Sequence, residues 1–193
     1  MHRAECPVKQ ITCPGVGATG AAAARDAVRL LWLTAHAIEA GALHSAAVQT
    51  AITYVLVVQL GHSFAGVIGK LGWCRLQQGY YLYVGSARRG IGQRVARHIR
   101  HKKVRRWHID YLTTATAATV VGALLSAERG ECALQKFLRE RGCQPVLPGF
   151  GASDCSSGCE SHLLRLNDQH SFLADLLRSE AQDGVQTFVL GTS

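Results

Sequence analysis

The apolar positions of the chain form blocks separated by glycine and polar turns. Residues 52–60, Ile-Thr-Tyr-Val-Leu-Val-Val-Gln-Leu, are a β-branched and aromatic run closed by Gly61, and they read as a buried strand. Residues 65–72 read as a short second strand after a turn, and 79–85, Gly-Tyr-Tyr-Leu-Tyr-Val-Gly, as a third. Gly90 and Gly92 then introduce a helix from Gln93 to about Lys102, on which Ile91, Val95 and Ile99 recur at helical spacing. Arg94, Arg97, His98 and His101 form the adjoining stripe, so these side chains should line the rim of the surface that packs on the sheet. A fourth strand is expected over 107–113. A helix is expected over about 119–140, burying Val120, Val121, Leu124, Leu125, Leu134, Phe137 and Leu138. Upstream, an amphipathic helix is expected over 25–40, with Val28, Leu31, Trp32 and Leu33 apolar, behind a stretch rich in Gly, Pro and Ala.

These elements predict an α+β domain: a small, mainly antiparallel sheet flanked by helices. Residues 1–48 form an N-terminal, partly helical extension, 49–168 the organised domain, and 169–193 a C-terminal tail. With 193 residues the chain is too short for two comfortable domains. The extension carries no nameable chemistry. Packing on the domain is the default expectation, ahead of a partner-binding helix or an over-long start.

Charge changes the picture by its location. The net charge is +8, yet residues 88–106 alone hold nine Lys or Arg and no acid, which leaves the rest of the chain near neutral. A concentrated basic block is the footprint of a polyanion partner, and a solvated helix face is the plainer alternative. Seven cysteines at irregular spacing, with no charged-then-apolar leader at Met1, suggest free thiols in a reducing cytoplasm. No membrane span is expected. The uncharged stretch 40–69 is broken by polar residues, and its apolar part is far shorter than the ~20 residues a span requires.

Several motifs in order carry a resemblance. Thr53-Tyr54 within one strand and Tyr83-Val84-Gly85 within a later one look like the paired signature of the GIY-YIG nuclease domain, and Arg94 with His98 matches that superfamily's arginine helix. The run 79–87 resembles, more closely, the subgroup known as the Uri superfamily of endonucleases. So do Arg97-His98, Trp107-His108-Ile109-Asp110-Tyr111-Leu112, Glu131-Cys132, 149–155 and Ser161-His162-Leu163. The likeness spans about residues 50–166. The chain departs from the pattern in three ways. Ile52 stands where the first motif usually has glycine, the two tyrosines are 29 positions apart, and Cys155 and Cys159 are spaced wider than the subgroup's pair.

The resemblance implies hydrolysis of a phosphodiester with one Mg²⁺ or Mn²⁺ held by a helix glutamate, an arginine on the phosphate, and tyrosines around the attacking water. Glu131 is the expected ligand, with Glu128 as competitor. Arg94 would hold the scissile phosphate through its planar fork. Tyr54 is the expected general base, which needs a nearby cation to lower its pKa from about 10, and Tyr83 would position water. His98 orients a phosphate, assists proton transfer or caps the core edge. Arg88, Arg89, Arg97, His101, Lys102, Lys103, Arg105 and Arg106 are the expected nucleic-acid contacts.

His108 and Asp110, on one face of the expected fourth strand, suit a relay, metal ligation or a structural hydrogen bond, the last favoured. Asp154 follows a tight turn at 149–151 and serves the site or caps the next turn. Cys155, Cys159 and His162, with Cys132, suit a zinc site. Because Cys-x₃-Cys-x₂-His is not a diagnostic spacing, free cysteines are favoured over structural zinc. The expected function is therefore a metal-dependent endonuclease, with DNA favoured over RNA. The rivals are a non-catalytic nucleic-acid-binding module on the same fold and a zinc-stabilised scaffold.

Overall fold

The computed structural model describes residues 8–11, 28–166 and 185–190, with the backbone alone described at 8–11, 28–29 and 185–190. In chain order the elements are β1 (Val8–Ile11), β2 (Val28–Thr34), α1 (Ala35–Glu39), α2 (Ala46–Gln49), β3 (Thr53–Leu60), β4 (Phe64–Val67), β5 (Trp73–Leu76), β6 (Gly79–Ser86), α3 (Ile91–Ile99), α4 (His108–Thr113), β7 (Ala118–Ser126), α5 (Glu131–Glu140), β8 (Gln144–Pro145), β9 (Leu163–Arg165) and β10 (Val185–Leu190). Eight strands form one sheet in the order β1-β10-β2-β7-β3-β6-β9-β8, and β4 and β5 make a separate hairpin. All pairings among the described residues are antiparallel except β1 with β10. The α+β class and the mainly antiparallel sheet are as expected. No helix among the described residues is long and apolar enough to cross a membrane.

Strand alternation sorts the core into two layers. Tyr54, Leu56, Val58, Tyr81 and Tyr83 face α3 and α4, where Ile91, Val95, Ile109 and Leu112 close the layer. Val55, Val57, Leu82 and Val84 face the other way, onto Leu134, Phe137 and Leu138 of α5. Thr53 pairs with both Ser86 and Ser126, so β3 begins where β6 and β7 end. The antiparallel run of these three strands gathers those end residues at one edge of the sheet, and the candidate site lies there.

Three elements differ from expectation. Residues 28–34 form β2 instead of helix, paired to β7 and β10. Its side chains alternate between the layers, Leu30 and Trp32 in one and Leu31 and Leu33 in the other. A strand covered on both faces reads as an unbroken apolar run, which periodicity cannot separate from a buried helix. The same cause misleads at β7, where the pattern predicts helix. A bulge also sits there: Val58 pairs with Val120 and Val57 with Gly122, leaving Val121 unpaired and shifting the alternation midway. All seven side chains expected to be buried over 119–140 are buried, four on β7 and three on α5.

The third correction is α4, expected as a strand. Six residues are under two turns, too few to display a helical period. The N-terminal capping carboxylate of Asp110 fixes this turn, accepting the Arg106 and Trp107 amides at 2.8 and 3.1 Å. The second expected strand, 65–72, is shorter than its pattern suggests: it is β4, followed by a 3₁₀ turn at Gly69–Leu71. The Gly/Pro/Ala-rich stretch before residue 25 and the tail over 169–184 lie outside the described residues.

Candidate active site

Register builds the centre of the site. Tyr54 pairs with Gly85 across β3 and β6, and a Cβ at Gly85 would collide with the Tyr54 ring. The glycine that closes Tyr83-Val84-Gly85 therefore gives the Tyr54 ring its room. Tyr83 lies two positions back on the same face, and the two rings sit 6.3 Å apart. Facing them, the turn at Gly149 and Gly151 adopts positive φ, 83° and 67°, and a Cβ on Gly151 would come within 2.8 Å of the Tyr83 ring. His108 anchors this turn, because its Nδ1 accepts the Gly151 amide at 3.1 Å.

From α3, His98 Nε2 meets the Tyr54 hydroxyl at 2.9 Å, and His98 Nδ1 lies 3.6 Å from Asp110 Oδ1. Asp110 is fully buried, and Arg97 donates to both of its oxygens, at 2.8 and 3.0 Å. Burial alone would raise its carboxyl, but the adjacent His98 imidazole and the hydrogen bonds from Arg97 and two backbone amides together hold it well below the usual range. Burial lowers the His98 pKa although Asp110 pulls against it, so the imidazole is neutral near pH 7. Arg94, one turn before His98, lies 4.7 Å over the Trp107 ring.

From the opposite layer, Glu131 opens α5, where the helix N-terminus favours a negative charge. Ser86 Oγ donates to its Oε2 and His162 Nδ1 meets its Oε1, both at 2.6 Å. Burial alone would raise the Glu131 carboxyl, but these two bonds together with the charges of His162 and Arg94 outweigh it and lower its pKa. Ser86 is out of phase with Tyr83 along β6, which turns it toward the α5 layer. Tyr54, Tyr83, Ser86, Arg94, Arg106, Trp107, Glu131 and Asp154 line one cavity of about 440 Å³.

A second cluster adjoins it. The ligand atoms of Cys132, Cys155, Cys159 and His162 all lie within 4.8 Å of one another, a set that could hold a metal ion. Cys132 and Cys155 approach to 3.5 Å between sulfurs. The Cys159 backbone amide pulls the Cys155 thiol down to about 6, while burial and its neighbours push Cys159 up to about 12. The three cysteines are free thiols in the structure, and the α5 N-terminus brings Cys132, distant in sequence, to the other three ligand atoms that a zinc site would require.

Of the residues expected to be catalytic, Tyr54, Tyr83, Arg94 and Glu131 line the cavity, and His98 backs it through Tyr54. Glu128 is exposed, precedes α5 and does not line it. At Tyr54 burial dominates and raises the pKa well above the ordinary value, and Arg94 by itself offsets only part of that. Burial likewise raises Tyr83.

The expected phosphate contacts divide. Arg88, Arg89, His101, Lys102, Arg105 and Arg106 are exposed, and Arg106 lines the cavity. Arg97 is bound to Asp110 instead. Lys103 turns inward, donating to the carbonyls of Arg97 and His98 and to Thr113 Oγ1, and burial lowers its pKa to about 8. The shared strand face expected for His108 and Asp110 is replaced by α4, from which His108 reaches the Gly149–Gly151 turn and Asp110 reaches Arg97. Asp154 lines the cavity beside Ser153. Sequence reasoning gives no site role to Ser86 or to Trp107, which both lines the cavity and packs on the core. Strand parity could find the first. The second requires knowing that 108–113 is helical.

The fold and site thus define an α+β domain with a polar cavity built where strand ends of an antiparallel sheet meet. The chain belongs to the family described as Domain of unknown function DUF123, whose profile matches residues 53–183. No curated protein and no solved structure matches the chain.

Proposed function

We propose that the chain is a metal-dependent endonuclease of the GIY-YIG type, resembling the Uri subgroup, that hydrolyses phosphodiester bonds of nucleic acid, DNA in preference to RNA. The observation that carries this reading is the meeting of Arg94, Glu131 and the Tyr54–His98 pair at one cavity. A binding surface for a polyanion gains nothing from an ionised carboxylate among phosphates. A hydrolytic site does.

Glu131 fits a hard divalent cation. Its carboxylate is a quarter exposed, and each oxygen receives one hydrogen bond, leaving acceptor capacity toward the cavity. Asp154 supplies a second carboxylate to the lining. Mg²⁺ or Mn²⁺ bound there would relieve charge on the phosphoryl oxygens and acidify water. Arg94 binds the scissile phosphate through its planar guanidinium, held against the Trp107 ring. The buried Tyr54 hydroxyl is a poor base alone, so it passes a proton to neutral His98 as it takes one from the attacking water. The Asp110 carboxylate, 3.6 Å from Nδ1, favours the imidazole with Nδ1 protonated and Nε2 accepting. Tyr83 orients the water. Arg88, Arg89, Lys102, Arg105 and Arg106 steer the polyanion toward the site. We place the protein in the reducing cytoplasm, where its cysteines stay thiols or thiolates.

The test is incubation of the purified chain with labelled single- and double-stranded DNA and RNA, with Mg²⁺ or with a chelator. Cleavage that needs the metal supports the reading. Binding to any of the four without cleavage would replace it with a non-catalytic binding module.

A further inference from the structure

We infer that Cys132, Cys155, Cys159 and His162 bind one zinc ion, and that the bound zinc fixes His162 so that it positions Glu131. Zinc takes four N or S ligands tetrahedrally, at ~2.3 Å to sulfur and ~2.0 Å to nitrogen, which spaces the ligand atoms roughly 3.5–3.8 Å apart. The four atoms here already lie within 4.8 Å of one another, with two sulfurs at 3.5 Å. Small side-chain adjustments complete the tetrahedron.

Two observations separate this cluster from cysteines that merely lie together. The first is His162. Its Nδ1 is engaged by Glu131 at 2.6 Å, and its Nε2 is buried with no hydrogen-bond partner. A buried nitrogen lacking a partner is costly, and a metal bond removes the cost. The arrangement is the carboxylate–histidine–metal order: the carboxylate takes Nδ1–H, fixing the tautomer that presents the Nε2 lone pair.

The second is that rigid pieces of the fold supply the ligands. Cys132 stands in the first turn of α5, and His162 precedes β9, clamped on both sides by its amide to the Phe150 carbonyl and its carbonyl to the Val84 amide. Cys155 and Cys159 come from a turn in which the Cys155 amide donates to Ala152 and the Gly158 amide donates to Cys155. Zinc would tie the Gly149–Asp154 turn, the start of α5 and the start of β9 into one unit. Three deprotonated cysteines and a neutral histidine carry a net −1 with Zn²⁺, and the thiols still protonated release their protons as the ion binds.

His162 would then act through Glu131 as a positioning residue. That last step rests on the phosphodiesterase reading, whereas the zinc site does not.

The experiment is metal analysis of the purified full chain, with exchange of Co²⁺ for zinc and ¹⁵N-histidine NMR. One zinc per chain is expected. Cobalt-loaded protein should show thiolate charge-transfer absorption and the intense visible bands of tetrahedral coordination. His162 should appear metal-bound at Nε2 with Nδ1 protonated, and Glu131→Gln should shift its Nδ1 resonance while leaving zinc bound. Cys155→Ser and Cys132→Ser should each lower zinc content. If these variants fail to fold, the cobalt spectrum of the wild type decides alone. Zinc absent, a Cys132–Cys155 disulfide in its place, or octahedral cobalt would overturn the site. Zinc bound with His162 ligating through Nδ1 would overturn the positioning role. Zinc present in a chain that cleaves nothing would leave the site standing and remove only the phosphodiesterase reading. Metal-dependent cleavage by a zinc-free chain would do the reverse.

Discussion

The Tyr54 hydroxyl and His98 Nε2 stand 2.9 Å apart, joining a strand tyrosine to a helix histidine 44 positions away. Both are buried, and their surroundings shift them apart: the tyrosine resists losing its proton and the histidine resists gaining one. Such a pair rests with the proton on oxygen, which makes its protonation state the first thing to measure. The cleavage rate should climb as pH rises through the His98 pKa, which lies below the usual histidine value near 6.5. His98→Gln should abolish that limb, and Tyr54→Phe should cost on the order of 10²–10⁴-fold. A pH profile of the wild type unchanged by His98→Gln would remove the histidine from proton transfer.

Arg94 and Glu131 should fail differently. Arg94→Ala removes charge relief on the phosphoryl oxygens, a loss on the order of 10²–10³-fold, and Arg94→Lys should recover little of it because it lacks the planar fork. Glu131→Gln should lower the rate and raise the Mg²⁺ requirement, with nucleic-acid binding nearly intact. Combining either with Tyr54→Phe should cost far less than the product of the single losses. Multiplicative losses would show that the three groups do not act together.

Asp110 should govern stability in acid. Its carboxylate is held ionised in the folded protein far below the ordinary range near 3.9. A lowered folded pKa means that this stabilisation is fully present above about pH 4 and drains away as pH falls further. Asp110→Ala strands Arg97 and should cost about 3–5 kcal/mol in urea unfolding at neutral pH. It should also flatten the acid limb of the stability profile. An acid limb identical to wild type would place the sensitivity elsewhere.

The basic block should divide in salt titrations. Replacing Lys102, Arg105 and Arg106 by glutamine should flatten the log–log slope of duplex affinity against salt by up to ~0.9 for each phosphate no longer neutralised. Lys103→Gln, whose ammonium is committed to the Arg97 and His98 carbonyls, should instead lower the melting temperature and leave the slope alone. A slope that responds equally to all four would contradict the inward placement of Lys103.

Gly85→Ala should push on the Tyr54 ring, with an overpacking cost of about 1–3 kcal/mol. Tyr54→Ala in the same chain should recover much of it. Additive destabilisation by the two changes would show that the ring does not fill that space.

How much of this is legible in the sequence follows from how local each signal is. β3 and β6 carry β-branched and aromatic residues, glycine boundaries and their chemistry within ten residues and stand where the pattern puts them, while α3 begins two residues before the expected Gln93 and ends at Ile99. β2 and β7 lie inside the sheet, where burial on both faces erases the alternation. α4 is too short to show its period, and along the chain its cap, Asp110, looks like one of a same-face pair with His108. In the site, the Tyr54, Tyr83, Arg94 and Glu131 positions are visible as motifs, but their hydrogen-bond partners are not. Ser86 reaches Glu131 only because β6 turns it toward the α5 layer, and Cys132 joins Cys155 only because the fold sets the start of α5 beside the turn that follows Gly151. Spacing along a chain cannot report a meeting that the third dimension makes.

The β4–β5 hairpin leaves the sheet after Leu60 and the chain re-enters it at Gly79, and these two residues face each other at the last rung of the β3–β6 ladder. The excursion leaves the register untouched: Tyr54 stands opposite Gly85 once the ladder closes. The interval between the two tyrosines is therefore a dispensable measurement, and a search for kindred chains should fix the rung and let the loop float. A foreign domain, or a fresh pair of chain ends, can be spliced in at the exposed residues 61–63, provided the hairpin still delivers Ile68, Cys74 and Leu76 to the core layer behind the cavity.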